Sequence, residues 1–217
     1  FRYERNGDGF REEICDQYHD TFRKYARWYR HHQNKDPRKG RGIVKLSGLN
    51  KAMQRIELAV ALNATKEAAQ RNGGLVADDE MVKLANGEDI PVSMACRVSH
   101  DVCSGCGNKA RNRSEYCGPE KCATYGGLRD NIGKTSNDGH TLHADNPDPQ
   151  FFDISGVFKP ADRIAYVLGK AAQWEQTGSL LKAAGAWEPM SGAKMAEELG
   201  VAAPAWMMDD GPWTGKE

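Results

Sequence analysis

Two kinds of chemistry are written into residues 90–122, IPVSMACRVSHDVCSGCGNKARNRSEYCGPEKC. The louder is thiolate chemistry. Cys103 and Cys106 form C-x2-C, and Cys117 and Cys122 form C-x4-C, ten residues further on. Two such knuckles on one short loop match the tetrahedral all-sulfur geometry of structural zinc. Gly105 and Gly107 give the first knuckle backbone freedom, and Lys109, Arg111 and Arg113 offset the charge of four thiolates. With every ligand supplied by the chain, zinc has no open position for catalysis and acts as a staple. His100 and His140 are reserve ligands in place of Cys122, whereas Cys15 and Cys96 sit in apolar patterns and read as core thiols. The quieter chemistry is a single hydroxyl, Ser93, between apolar neighbours in a strand pattern. Alone it reads first as a core or hydrogen-bonded filler, because a serine becomes a nucleophile only beside a base.

The elements that must position these groups follow from periodicity. Asn6–Gly9 reads as a turn. Ile14, Tyr18, Phe22, Tyr25, Ala26 and Tyr29 recur at helical spacing, which predicts one helix over 11–31. Residues 31–42, HHQNKDPRKGRG, lack periodicity and read as an exposed loop. Strands are predicted over 43–46 and 55–62, joined around Gly48–Asn50, with helices over 65–70 and 78–85. Asp78 is the expected cap of the second and Gly87 its stop. Residues 90–98 return to strand, 125–150 read as an irregular excursion, and FFDISGVF (151–158) as a further strand. In it Asp153 stands where a hydrophobe is expected, so burial there demands a partner. A helix is predicted from Ile164 to Ala171, then a separable tail over 176–217 with short helices at 180–184 and 193–199.

The totals narrow the field. The chain has 217 residues, 30 basic against 30 acidic, so no net field recruits nucleic acid or an anionic membrane. No apolar run reaches the length of a membrane span, and no charged-then-apolar signal opens the chain. Six cysteines without such a signal point to metal rather than disulfides, with a reducing cytoplasm as the default. The chain opens on Phe1 rather than methionine, which sets the expectation of residues upstream.

Three separated segments resemble one family, the prohead maturation proteases of tailed bacteriophages, relatives in fold of the herpesvirus assembly proteases. HHQNKDPRKGRGIV looks like the family's Asn-His loop, PVSMACRV like its nucleophile strand, and FFDISGVFKPAD like its acidic-x-Ser-x-Val strand with a Pro-Ala-Asp end. The CSxCG knuckle after the serine strand is similar to an insertion in one branch. The likeness covers most of residues 6–170. It departs at Ala95, where the family mostly has glycine, and at Asp153, where some members carry glutamate.

The resemblance implies Ser93 as nucleophile, His32 as general base and Asp153 as the residue orienting the histidine. His32 rather than His31 is implied by its interval to Asp36–Pro37. The expected fold is α+β, a mostly antiparallel barrel-like sheet flanked by helices, with the four-cysteine zinc loop inserted. The expected organisation is a protease domain over 1–175, with the zinc insertion at about 100–125, and the tail over 176–217. The implied function is a serine endopeptidase acting in the host cytoplasm inside the assembling phage head. Its partners are scaffold and major capsid proteins as substrates, with the portal or the protease itself as further targets, and neither membrane nor nucleic acid. Two other readings stand beside it: an inactive zinc-stapled structural or scaffold protein of the head, and a zinc nucleic-acid module. The balanced charge and the scarcity of aromatics among the basic residues count against the last.

Overall fold

The stretch predicted as a single helix over 11–31 holds three elements in the computed structural model, which describes residues 3–162 and 165–167. After a two-residue strand β1 (Asp8–Gly9) come helices α1 (Glu12–Tyr18) and α2 (Asp20–Tyr25), then strand β2 (Arg27–Arg30). Ala26, with ψ 143°, ends the helical run. Trp28 and Tyr29 are consecutive and both 3% exposed, a two-sided burial that an amphipathic helix cannot give and a central strand can. Aromatic side chains also favour the pleated surface.

The next two strands, β3 (Gly42–Asn50) and β4 (Arg55–Leu62), form a hairpin. Its turn falls at residues 51–54, not around Gly48–Asn50, because Gly48 stays in the ladder opposite Glu57. The Asn50 side chain accepts the Met53 amide at 3.0 Å, which closes the turn. Helix α3 (Lys66–Arg71) is capped by Thr65, which accepts from the Ala68 amide. Helix α4 (Asp78–Ala85) has Ala77 at the cap position, so Asp78 lies in its first turn instead, and left-handed Gly87 follows its end.

Strands β5 (Val92–Arg97) and β9 (Gln150–Gly156) complete a five-stranded sheet in the order β4-β3-β2-β9-β5. Only β2 against β9 is parallel; the other three pairings are antiparallel. The sheet is mixed and open: among the described residues β4 and β5 do not pair, so the barrel-like closure expected from the resemblance is not formed. The outer edge of β5 is occupied at its start by residues 165–167, where Tyr166 bridges Pro91 and the Val92 amide donates to Ala165. These residues are therefore extended where a helix was expected. The 176–217 tail and its two expected helices lie outside the described residues.

Phe22, Trp28, Val44, Ile90, Phe151 and Ile154 form the main core, with Phe22 and Phe151 stacked at 4.3 Å. Each such buried side chain contributes about 1.5–3 kcal/mol. A second, smaller unit contains β6 (Asp101–Cys103), β7 (Lys109–Ala110), α5 (Leu128–Asn131) and β8 (Ala144–Asp145), in a sheet ordered β1-β8-β6-β7. Part of the expected irregular excursion is thus ordered against the cysteine loop, around Tyr116, Leu128, Leu142 and Ala144. No helix among the described residues is long and apolar enough to cross a membrane.

Candidate active site and metal centre

Asp153 lies on β9, next to the parallel strand β2, and its side chain has no exposure. A carboxylate there must be hydrogen-bonded or its burial is prohibitive. Three donors meet it. Oδ2 accepts from His32 Nδ1 at 2.8 Å and from Asn34 Nδ2 at 2.5 Å, and Oδ1 accepts from the Ser155 hydroxyl at 2.6 Å. The Ser155 oxygen in turn accepts the His32 backbone amide at 3.2 Å. Ring and backbone of one histidine are therefore both tied to β9.

The local backbone explains why this histidine reaches Asp153. Strand β2 ends at Arg30, and the His31 amide donates to the Gly156 carbonyl at 3.0 Å. His31 and His32 then both take left-handed conformations, φ 45° and 55°. That region costs a residue with a Cβ of order 1 kcal/mol and is kept where surrounding contacts over-determine it. With Nδ1 donating to Asp153, Nε2 is the nitrogen left to accept a proton. The bond from Asp153 raises the His32 pKa above the ordinary imidazole value, against the opposing effect of burial, with further help from the charges of Asp153 and Glu4. Glu4 itself is pushed up to about 7, by burial first and then by Asp8 and Asp162.

Ser93 sits on β5 directly opposite Ser155, and Ala95 opposite Asp153. Opposed residues of an antiparallel pair share a face, with Cβ atoms roughly 4.5–5.5 Å apart. Ser93 thus shares a face with Ser155 and Asp153, the two side chains that hold His32. The structure joins His32 to Asp153 directly and places Ser93 one strand away on the face of Asp153 and Ser155, with no hydrogen bond between Ser93 and His32. Asn34 and Ser155 went unselected. The signal for Ser155 was available, since residues i and i+2 of a strand share a face; nothing in the loop pattern distinguished Asn34.

The four cysteine sulfurs lie within 4.8 Å of one another, Cys103, Cys117 and Cys122 buried and Cys106 exposed. Zinc–thiolate bonds of about 2.3 Å span a tetrahedron with edges of roughly 3.8 Å, so slight side-chain adjustment closes this set around an ion. Gly107, at φ 74°, turns the first knuckle and donates to the Cys103 carbonyl, and the Leu128 amide points at Cys117 Sγ at 3.3 Å. Such N–H···S bonds stabilise metal thiolates. The four cysteines form a site that can hold a metal ion such as zinc. The reserve ligands are engaged elsewhere: His140 Nε2 pairs with the Ser104 hydroxyl at 3.0 Å and His100 Nδ1 with the Ser99 hydroxyl at 2.7 Å. Cys15 is buried and Cys96 half-buried, and burial pushes both thiols up to about 12, which leaves them unreactive.

Comparison with known proteins returned no matching family model, no matching curated protein and no matching solved structure.

Proposed function

We propose that the protein is a serine endopeptidase of the prohead-maturation type, with Ser93, His32 and Asp153 as its triad. The observation that carries the reading is the fully buried Asp153 holding His32 by Nδ1, one strand from Ser93 on a shared face. Ser93 Oγ attacks the scissile carbonyl carbon as His32 Nε2 takes its proton. The C–N bond then breaks as Nε2 returns that proton to the leaving amine. Water hydrolyses the acyl ester by the same relay, and Asp153 steadies the imidazolium in both halves.

The resemblance supplies the substrates: scaffold and major capsid proteins, cut inside the assembling head. Zinc, when bound by Cys103, Cys106, Cys117 and Cys122, cross-links the loop that follows the nucleophile strand; it supplies structure, not a Lewis acid at Ser93. Co-expression of the chain with scaffold and capsid proteins tests the reading. Wild type is expected to shorten them, and Ser93→Ala to leave them intact. Equal processing by both would overturn it, and intact products from both with a normally folded chain favour an inactive zinc-stapled head protein.

A further inference from the structure

The triad leaves two rings beside it unused. Phe158, two residues beyond β9, is 86% exposed, against 38% to 59% for the other exposed large hydrophobic residues described. Its ring is nevertheless fixed, stacked on His31 at 4.3 Å between centroids and 27° between planes. His31 is the chain neighbour of His32, and its own amide is anchored to Gly156. The Val157 amide donates to the Pro91 carbonyl at 2.9 Å, which holds the base of the Phe158 loop against the residues leading into Ser93. Tyr166, also exposed, bridges Pro91 from the other side.

We infer that the His31–Phe158 stack is a specificity wall, receiving an aromatic or long aliphatic side chain of the peptide beside the scissile bond. The inference rests on the protease reading above and adds the substrate class to it. A phenyl ring this exposed contributes little to folding. Stacking removes its rotamer freedom before any ligand arrives, and such preorganisation lowers the entropy lost on binding. Covering the ring favours an apolar occupant, since it takes hydrocarbon surface from water on both partners. The left-handed pair at 31–32 gives the wall its place: one ring is turned to Asp153 and the preceding one to Phe158.

The experiment uses the full chain as wild type, Ser93→Ala, Phe158→Ala and Phe158→Leu, in two assays. A small alkyl fluorophosphonate reports serine activation without needing a side-chain pocket, and a randomised synthetic peptide library read by mass spectrometry reports preference. The expected result is labelling of wild type, Phe158→Ala and Phe158→Leu, with none of Ser93→Ala. In the library, wild type favours aromatic or long aliphatic residues at one position. Phe158→Ala loses about tenfold in kcat/KM on those peptides alone, and Phe158→Leu falls between. Unchanged preference in Phe158→Ala, or a wild-type preference for charged or small residues there, overturns the wall while labelling preserves the protease. Failure of wild type to label refutes the protease reading, and the wall with it.

Discussion

The two sheets of this molecule solve the same problem by different means. The five-stranded sheet is held by large side chains such as Phe22, Trp28, Phe151 and Ile154, and that core is robust enough to bury a carboxylate with its three donors. The sheet of the cysteine unit has strands of two or three residues, and five of its eight buried core members are cysteine or alanine: Cys103, Cys117, Cys122, Ala110 and Ala144. A core of that size offsets little of the backbone entropy of its loops, and a metal ion held by the four cysteines would supply the remainder. The lesson is one of division: the sheet that folds by apolar burial carries the buried Asp153 and its donors, and the sheet with the small core carries the four cysteines that can hold a metal ion.

This contrast can be broken from either side. The largest effect is expected at the nucleophile: Ser93→Ala lowers peptide cleavage by about 10^6-fold with an unchanged thermal unfolding curve. Asp153→Asn keeps the shape but loses the negative charge and one of the two acceptor atoms, so either His32 or Ser155 faces an NH2 group, and it is expected to cost about 10^4-fold in kcat. A loss below tenfold would remove Asp153 from the mechanism. On the other side, chelation or Cys117→Ser should melt the cysteine unit and leave the larger sheet folded. Limited proteolysis should then cut within 101–145 first, with activity falling as that unit loosens; equal stability and activity without metal would refute the staple.

A structural link sits between these extremes. Arg30, the last residue of β2, pairs with Glu80 at 2.7 Å and also with Asp78 and Asp79, all in the first turn of α4. Glu80 is 4% exposed, and Glu80→Ala removes the buried partner while leaving Arg30 to Asp78 and Asp79, so it should cost about 1.5–3 kcal/mol in chemical denaturation. Because His31 and His32 follow Arg30 directly, kcat should fall more than KM changes.

The smallest effect on activity is one of pH. The proposed mechanism needs neutral His32, whose folded pKa is raised, so the acid limb of the rate profile is expected above pH 6.5. The stability that protonated His32 draws from Asp153 is complete below its unfolded pKa and is lost as pH rises through the folded one. Glu4, raised from 4.5 to about 7, acts in the same direction: folding weakens as pH climbs through that window, by up to about 3 kcal/mol. Glu4→Gln should flatten the stability profile between pH 5 and 7 (about its unfolded and folded pKa values). It should also move the acid limb slightly down, since the Glu4 charge helps raise His32.

Much of this was legible in the chain. The cysteine spacing marked a metal-competent cluster directly, because ligand geometry is local. β4, β5 and β9 showed as strand patterns and Gly87 as a helix stop, whereas the expected cap Asp78 lies inside the first turn of α4 and the cap role of Thr65 was not read. The tyrosine spacing through 18–29 misled, since aromatics at helical intervals also serve a strand buried on both faces, and only the neighbours β3 and β9 reveal that burial. Closure of the sheet was equally illegible: the edge of β5 is taken by residues 165–167, a pairing no local pattern encodes. Asn34 was invisible because its role exists only opposite Asp153, 119 residues away.

The parallel pairing of β2 with β9 has a consequence for timing. His32 and Asp153 lie 121 residues apart, and the strand that carries the carboxylate is the last of the sheet to be synthesised. A growing chain therefore displays its serine and both histidines long before their partner has left the ribosome. Until β9 slots between β2 and β5, His32 has nothing to turn its ring and Ser93 has no neighbour strand on that side. The insertion of one central strand both completes the sheet and assembles the buried His32–Asp153 pair, so on the proposed mechanism a nascent or truncated chain would be inert.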